Sequence, residues 1–491
     1  AVATLELARS ARELGNEALA RGLALRLAEA AVPADLAALR GVASAEEAVT
    51  GKLELVRTRA VPPNASLLGG YDRPLRGEPL PAGFDGALLL EQEFDDYILT
   101  CLALPSGEER WRQRLRRARA NNHALVFLQV AGTLVVRRGS QLSAHALADG
   151  AERWTVELDR DAAEIAASSG MLAVSLRTPP AHGADEAEPA ALRLIEPLTG
   201  IVVATVGAAG SDTRPGQLVA TGGCAQLTSF GRRGQSVEVF DVVTGRRRLE
   251  PKVAPISYTV PLLLPAQRLL VVPDTRMPTG EAAPRQGGVP RVVAWRLDDD
   301  TEAFAVDLLP LGYKLRATYA AAEGLALLGG SGTNAGVLVI DPVRGVPLRD
   351  LEPIPPDAAD SWKRLLVAGE EGAVRLQGYV DWRKNGPVQL QLLAGDGRAL
   401  WRAEIEVPKN TVQLNPPDRL LRRGGSLLVA VQYHAGGKSL TDLVLLAEQD
   451  GRVLARETMA GGKLSQRDDV VRCGEWLATR QDETFRAYGW R

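Results

Sequence analysis

The sequence has few of the residues on which covalent cross-links and metal sites depend. Its 491 residues include three Cys and four His, and Cys101, Cys224 and Cys473 are far apart. Three cysteines cannot cross-link a chain of this length, so apolar burial must hold its core. The histidines form no short-spaced pair with each other or with a Cys, so no metal site is predicted.

The sequence also lacks an excess of charge and a long hydrophobic run. It has 58 Lys+Arg against 60 Asp+Glu, a net charge of −2, which argues against nucleic acid as a partner because phosphate binding favours a basic excess. No uninterrupted run of about 18 apolar residues exists, so no membrane-spanning segment is predicted. The hydrophobic share of 45% is nevertheless that of a folded protein.

Residues 1–50 are predicted to form a short helical segment followed by a linker. Leu7, Ala11 and Leu14 recur at helical spacing, and Pro33 ends the run. Residues 11–19, Ala-Arg-Glu-Leu-Gly-Asn-Glu-Ala-Leu, resemble the turn of one tetratricopeptide repeat. This resemblance implies either the end of a longer helical array or a helical pair packed on the next domain. Because Ala1 is not Met, we expect a processed chain or a piece of a longer one.

From about residue 51 to residue 491 the pattern changes to short β-rich runs separated by turns. The clearest unit spans 124–158, with strands predicted at 125–130, 133–138, 141–147 and 152–158. The turn before the fourth strand recurs every 43–55 residues, at Gly107, Gly150, Gly200, Gly245, Asp300, Gly345, Gly397 and Gly451. Glycine supplies the positive φ of a tight hairpin. Four strands per unit at this period predict a mainly all-β protein with a closed β-propeller.

The two ends of this β region suggest how the ring closes. Residues 470–474, 475–481 and 483–490 read as three strands of a unit that lacks a fourth. The segment 52–58, with alternating Leu53 and Leu55, is predicted to complete that last blade. A literal count then yields nine blades. Eight is the commoner number, and the sequence leaves both open with eight preferred.

The repeat resembles the β-propeller of pyrroloquinoline-quinone (PQQ) dehydrogenases. The resemblance rests on Phe240-Asp-Val-Val-Thr-Gly245, Leu147-Ala-Asp-Gly-Ala-Glu-Arg-Trp154 and a similar run from Leu102 to Trp111. It implies the propeller fold over residues 51–491. The same blade occurs in non-enzymatic scaffolds, such as a lipoprotein of the outer-membrane assembly machine, so fold alone does not assign function.

The departures from the enzymes favour the scaffold branch. The family's enzymes carry a vicinal Cys-Cys pair, which is absent here. No His-Glu-x-x-His, Gly-x-Ser-x-Gly or phosphate-binding glycine loop occurs, and His123, His145, His182 and His434 select no catalytic partner. We therefore predict no catalytic residue, no bound cofactor and no enzymatic activity.

Several conspicuous residues have a structural interpretation that outweighs a functional one. Trp111, Trp154 and Trp401 follow the recurring turn and are expected to dock one sheet against the next. Asp298–Asp300 is expected to form a solvated turn rather than a calcium site. The basic run Arg112, Arg114, Arg116 and Arg117 is interpreted as a charged outer strand. An anionic contact through this run is the alternative.

The candidate binding face is the one that carries the long loops between second and third strands. These loops are predicted at 178–190, 277–290, 381–387 and 434–439. Insertions on one face of a repeat protein often mark its binding face. The candidate protein-binding residues are Trp382, Arg383, Lys384, Tyr433, His434, Arg276 and Arg285.

The leading hypothesis is a non-catalytic scaffold for protein–protein interaction within a larger chain or assembly. The alternatives are a small-ligand-binding or quinone-dependent enzyme that uses the central channel, and an extracytoplasmic sensor domain. The resemblance favours a bacterial periplasm or cell envelope over the cytoplasm.

Overall fold

The structure is a computed structural model that describes most of the chain after residue 51. It describes residues 52–70, 73, 75–77, 80–81, 83–93, 96–116, 125–176, 191–207, 214–231, 234–250, 261–264, 267–274, 291–308, 315–321, 324–331, 334–342, 344–350, 363–371, 374–381, 387–394, 399–407, 413–415, 421–423, 425–435, 438–460, 469–473, 475–481 and 483–490. The helical segment predicted for 1–50 lies outside these residues.

The described residues form β-strands joined by turns, with no helix among them. The first strands are β1 Leu53–Ala60, β2 Ala65–Leu67, β3 Leu75–Gly77, β4 Gly86–Glu93, β5 Asp96–Ala103, β6 Glu109–Arg116, β7 Val126–Val130, β8 Thr133–Arg138, β9 Gln141–Ala146 and β10 Glu152–Glu157. The next are β11 Ala162–Ser168, β12 Met171–Leu176, β13 Ala191–Ile195, β14 Val202–Gly207, β15 Arg214–Thr221, β16 Cys224–Gly231, β17 Gly234–Asp241, β18 Arg247–Leu249, β19 Leu262–Leu264, β20 Leu269–Asp274, β21 Arg291–Arg296 and β22 Glu302–Asp307.

The remaining strands belong to the last third of the chain. They are β23 Leu315–Ala321, β24 Gly324–Ser331, β25 Asn334–Ile340, β26 Pro347–Asp350, β27 Lys363–Glu371, β28 Val374–Asp381, β29 Val388–Ala394, β30 Ala399–Ile405, β31 Gln413–Asn415, β32 Leu421–Arg423, β33 Ser426–Ala435, β34 Lys438–Ala447, β35 Val453–Ala460, β36 Asp469–Cys473, β37 Trp476–Gln481 and β38 Thr484–Trp490. The strands predicted within 124–158 are confirmed to within a residue at each end.

The chain divides into two compact units. Of the described residues, the first unit holds 75–81 and 125–308, and its four sheets are ordered β3-β7-β8-β9-β10, β11-β12-β13-β14, β15-β16-β17-β18 and β19-β20-β21-β22. The second unit holds the other described residues, and its five sheets are ordered β2-β4-β5-β6, β23-β24-β25-β26, β27-β28-β29-β30, β31-β33-β34-β35 with β32 also on β33, and β36-β37-β38-β1.

In each of the nine sheets of the described residues four strands follow one another across the sheet, β1 taking the fourth place in the last one, and we call the edge strand in fourth place the outer strand. Apart from the parallel pair β3–β7, neighbouring strands pair antiparallel. This pattern confirms an all-β fold built from four-stranded antiparallel sheets. A single closed ring and its number of blades stay predictions.

The recurring turn has the backbone that its glycines predicted. Gly107, Gly150, Gly200, Gly245, Asp300, Gly345 and Gly451 all have φ between 57° and 74°. The tight turns between first and second strands behave in the same way, since both Ala131 and Gly132 have positive φ. Such turns match the twist of the flanking strands and keep each hairpin short.

An acidic side chain often stabilises the recurring turn. Asp241 Oδ1 accepts hydrogen bonds from the backbone N–H of Val243, at 3.0 Å, and of Thr244, at 2.9 Å. Glu196 accepts the corresponding bonds from the backbone N–H groups of Leu198 and Thr199. The Asp-x-x-Thr-Gly pattern is thus explained by satisfaction of turn N–H groups.

The fourth strand of every described sheet contains a β-bulge close to its start. The unpaired residues are Val56, Arg110, Arg153, Val203, Arg248, Ala303, Leu348, Leu400 and Leu454. Three of the nine residues that follow the bulge are tryptophans, namely Trp111, Trp154 and Trp401, and all three are buried. In β35 the residue after the bulge is Ala455, which lies four residues after the turn glycine Gly451, as Trp154 does after Gly150.

Trp154 and Trp401 dock against the neighbouring sheet, as predicted for them. The Trp154 indole N–H donates to the carbonyl of Pro197 at 2.8 Å, and the Trp401 indole N–H donates to the carbonyl of Glu448 at 2.7 Å. A Cβ at Gly200 would lie 2.7 Å from the Trp154 ring, and Gly451 stands in the same relation to Trp401. The turn glycine is therefore needed twice, for its positive φ and for the close approach of the indole.

The strand predicted at 52–58 is β1, which pairs antiparallel with β38 from Leu53 on Trp490 to Ala60 on Thr484. It is the fourth strand of a sheet whose other three strands come from the end of the chain. Arg59 Nη1 also donates to the carbonyl of Gly107 at 2.6 Å, so this strand contacts the turn of the sheet β2-β4-β5-β6.

The connection between the first and second strands is long in the sheet β2-β4-β5-β6. Between β2 and β4 the chain contains β3, which adds a parallel strand to the inner edge of β7. Arg76 of β3 forms an ion pair with Glu164 of β11 at 2.6 Å. The short apolar run at Leu75 was too brief for a strand to be predicted from period alone.

Replacing Trp154 by Ala is expected to lower the free energy of unfolding by about 3–5 kcal/mol. The change removes the ring from a seam and leaves the Pro197 carbonyl without its donor. The measurement is the midpoint of urea denaturation followed by circular dichroism. The control is Thr155→Ala at the adjacent exposed position, where a change within about 0.5 kcal/mol is expected. Equal midpoints for the two variants would contradict the docking role.

Candidate functional site

Most of the loop residues singled out in the sequence lie outside the described residues. These are Trp382, Arg383, Lys384, Arg276 and Arg285. The side chain of His434 is also outside the described part, although its backbone belongs to β33. Protein binding by these residues stays a prediction.

Tyr433 is in the described part of the chain, and it is not an exposed loop residue. Strands β33 and β34 continue to Ala435 and Lys438, which pair with each other, so the loop expected over 434–439 shortens to two residues. Tyr433 is only 3% exposed and packs in an apolar cluster with Val431 and Val444. Its exposure was predicted wrongly because the strand extends further than the turn-forming residues suggested.

The Tyr433 hydroxyl belongs to a buried polar group that holds the end of the hairpin. It donates to Asp442 Oδ1 at 3.2 Å, and Arg456 Nε donates to Asp442 Oδ2 at 3.0 Å. Burial raises the pKa of Tyr433, and the nearby Asp442 carboxylate adds to the effect. Asp442 is fully buried, so this ion pair satisfies a carboxylate that would otherwise be costly to bury.

The basic run is an outer strand whose described arginines all have acidic partners. Arg110 pairs with Asp85 at 2.6 Å, Arg112 with Glu91 at 3.7 Å and Arg114 with Asp96 at 2.7 Å. Arg117 and the side chain of Arg116 lie outside the described residues. Because these arginines are paired with carboxylates, the strand and its partners together carry less net positive charge than the strand sequence alone indicates. An anionic contact through this strand stays a prediction.

The acidic turn and the cysteine thiols, which could have served in a binding or catalytic site, have structural roles instead. Arg268 Nε donates to Asp298 Oδ2 at 2.7 Å and lowers the pKa of that carboxyl, while Asp299 Oδ1 accepts from the Thr301 hydroxyl at 2.6 Å. Cys101, Cys224 and Cys473 are buried and none of the three forms a disulfide, and burial raises the pKa of Cys101 and of Cys473 to about 12. Thiols in this state are poor nucleophiles.

His145 is buried on β9, where its Nε2 lies 3.2 Å from the Ser143 hydroxyl. Burial lowers the pKa of His145, and the opposing effect of Glu152 is smaller. Ser143 is itself buried and also accepts from Arg138. This pair therefore lacks the exposure that a nucleophile and its base need to meet a substrate.

The exposed large hydrophobic side chains of the described residues concentrate in one kind of place. All of them lie on an outer strand or immediately before one: Leu55, Val56, Ile201, Val202, Val203, Val346, Leu400 and Val453. Three are consecutive, because Ile201, Val202 and Val203 open β14 with exposed fractions of 63%, 39% and 49%. Contiguous exposed apolar side chains on a folded protein commonly mark an interaction site.

Strand β14 presents two different faces. Ala204 and Val206 are partly buried against the cluster of the next sheet, around Leu227 and Phe240. Thr205 and Gly207 are exposed on the other face. A Cβ added at Gly245 would lie 2.7 Å from the Cβ of Ala204. The small residue Ala204 therefore occupies the position that a docking tryptophan has in β10 and β30. We define Ile201–Gly207 as the β14 edge and regard it as the candidate interaction surface.

The sequence contains a signal for the β14 edge that lies in its charge pattern and in none of its motifs. Of the nine outer strands described, it alone lacks a charged residue, since the others each contain at least one Arg, Asp or Glu. Comparison of charge along equivalent fourth strands would have found it. Exposure itself was not predictable, because a Val-rich run is equally typical of a buried strand.

No group of three or more His, Cys, Asp or Glu side chains is arranged to hold a metal ion in the part of the chain that the structure describes. Nor do the described residues include a helix long and apolar enough to span a membrane.

No family model and no curated protein matches the chain. Among solved structures, the chain is similar to BamB from Moraxella catarrhalis, with 13% identity over 85% of this chain and 99% of that one and a TM-score of 0.39. It is similar to the quinohemoprotein alcohol dehydrogenase ADHIIG from Pseudomonas putida, with 12% identity, 78% and 76% coverage and a TM-score of 0.38. A third is Saccharomyces cerevisiae Sqt1, with 9% identity, 89% and 98% coverage and a TM-score of 0.41. Similarities this distant assign no activity or partner.

The buried state of His145 predicts a pH dependence of stability. Its folded-state pKa is below the ordinary value of 6.5, so below that pH the unfolded chain binds a proton that the folded chain does not. The wild type should therefore lose stability relative to His145→Gln as the pH falls from about 7.5 to about 5. Urea midpoints of both proteins at several pH values measure this difference. A difference that stays constant with pH would refute the prediction.

Proposed function

We propose that the chain is a non-catalytic β-propeller scaffold that binds other proteins, with the β14 edge as one of its contact surfaces. The observation that carries the proposal is the run of exposed aliphatic side chains at Ile201, Val202 and Val203. Aliphatic surface that is left in water at a sheet edge is a typical contact for an added strand or an apolar partner surface.

The state of the polar groups also supports a scaffold. Asp241 and Glu196 hold turns, Asp442 is neutralised by Arg456, and His145 is buried beside Ser143. In the part of the chain that the structure describes, these acid–base side chains are engaged in structural contacts. What the described surface offers to a partner is apolar area on outer strands.

The loop-face residues form a second part of the same proposal. Trp382, flanked by Arg383 and Lys384, has the composition of an interaction hot spot. Binding through this face is independent of the β14 edge, and the two can be tested separately.

Site-specific photo-cross-linking in cells of the source organism tests the proposal. A photoreactive residue at Val203 is expected to capture a defined protein partner, identified by mass spectrometry, because this side chain is exposed at the apolar edge. The same group at Arg153, the equivalent bulged residue of β10, is the matched control and should capture much less. A photoreactive group at Trp382 tests the loop face in the same way.

The outcome against the proposal is equally specific. Absence of a defined cross-link at both Val203 and Trp382 would contradict a protein-binding scaffold. A large stabilisation of the purified chain by PQQ or another small ligand, measured by thermal shift, would contradict the non-catalytic part.

A further inference from the structure

The sheet β15-β16-β17-β18 contains two polar side chains that are buried and incompletely hydrogen-bonded. Gln226 and Thr228 lie on β16, which has a neighbouring strand on both edges, and their exposed fractions are 0% and 2%. Within the part of the chain that the structure describes, the amide oxygen of Gln226 and the hydroxyl of Thr228 have no hydrogen-bond partner. A buried polar atom without a partner costs free energy, so a pair of them calls for a physical explanation.

Both side chains point into the seam with the next sheet, β19-β20-β21-β22. Gln226 lies opposite Val239 and Thr228 lies opposite Val237, so these four side chains share one face of the sheet. Val237 and Val239 belong to an apolar cluster that includes Leu270 of the next sheet. Gln226 and Thr228 are therefore two polar groups side by side at the edge of an apolar layer.

A single hydrogen bond fixes the orientation of the Gln226 amide. Its Nε2 donates to the carbonyl of Pro261, directly before β19, at 3.2 Å. Because a carbonyl only accepts, the amide nitrogen must face it, and the amide oxygen remains as an acceptor. The Thr228 hydroxyl can both donate and accept. The pair therefore suits a ligand that donates to Gln226 and forms a second hydrogen bond with Thr228.

We propose that one buried water molecule bridges Gln226 Oε1 and Thr228 Oγ1 in this seam. Two residues on the same face of a strand are about 6.6 Å apart along it. A water molecule with two hydrogen bonds of about 2.8 Å joins atoms up to about 5.6 Å apart, and the long Gln226 side chain covers the remainder. The site extends the contact of Gln226 with Pro261 into a hydrogen-bonded joint between two sheets.

The chemistry of the pair favours water over an ion. Both groups are neutral, and a hard cation such as calcium takes six to eight oxygen ligands, most of them charged or from the backbone. A buried water molecule needs only two to four polar partners, and such waters typically satisfy polar groups that are otherwise without a partner. The site is separate from the protein-binding surfaces, so the two proposals do not depend on each other.

A double-mutant cycle measures the bridge, because a shared water couples two side chains that form no direct hydrogen bond. Gln226→Leu, Thr228→Val and their combination are compared by urea denaturation of the full chain. Each single variant should lower the folding equilibrium constant by at least about fivefold. The loss in the double variant should be smaller than the product of the single losses by at least about twofold. The lost contact with Pro261 occurs in both arms that carry Gln226→Leu and therefore cancels.

The matched control for the hydroxyl is Thr133→Val on β8. Thr133 is also fully buried, and its hydroxyl has no partner among the described residues, but the residue two positions further on the same face is Val135. This substitution should leave the folding equilibrium constant unchanged or raise it, because no second polar group is placed to share a water with Thr133. Its effect should add to that of Gln226→Leu, since the two residues lie in different sheets.

Two results would overturn the bridge. One is additivity of Gln226→Leu and Thr228→Val, and the other is a Thr228→Val variant that is as stable as the wild type or more stable. A crystal structure of the wild type, at a resolution that shows ordered water, tests the site even if a variant fails to fold. Density within hydrogen-bond distance of both Gln226 Oε1 and Thr228 Oγ1 is expected. Its absence, or a direct contact of either atom with another side chain, would refute the proposal.

Discussion

The seams between neighbouring sheets depend on the close approach of a turn residue to the outer strand of the preceding sheet, as at Gly200, Gly245 and Gly451. A single four-stranded sheet cannot bury its own faces, so stability comes from the seams between neighbours. At the seam of Trp154 the indole covers Gly200 and donates to the Pro197 carbonyl. At the next seam the same place is taken by Ala204 against Gly245. A bulge precedes both Trp154 and Ala204 and re-aims the side chain that follows it, and a bulge recurs at this place in all nine described sheets.

This architecture uses its polar groups for construction, and that limits what remains for function. Asp241 closes a turn and pairs with Arg248, Asp442 is buried beneath Arg456, and Asp274 is buried beneath Arg291. A carboxylate that is buried and paired in this way specifies the position of a strand end and is removed from acid–base chemistry. The side chains that are available to contact a partner are therefore expected on outer strands and loops, where they are not needed to satisfy backbone groups. The β14 edge is conspicuous there because the neighbouring outer strands are protected by charge.

The fold was largely predictable because its signals are local. The positive φ of Gly150 and Gly245, the strands within 124–158 and the docking of Trp154 all follow from residues a few positions apart. The candidate site was less predictable. Tyr433 was expected in a loop, but its strand continues to Ala435, and the parallel strand β3 at the edge of β7 was not expected. Both depend on distant pairing, which no local period encodes.

The sequence by itself determined the repeat, the turn at each glycine and the all-β class, since alternation and backbone preference act within a few residues. Only the tertiary structure decided which apolar runs meet water. Val237 and Val239 on β17 are buried, whereas Val202 and Val203 on β14 are exposed, although both runs are rich in valine. The physical reason is position in the sheet: an inner strand has neighbours on both edges, while the last strand of a sheet has only one. The same rule accounts for the burial of Tyr433 on β33, which has neighbours on both edges, and for the exposure of Val202 and Val203 on the last strand of their sheet.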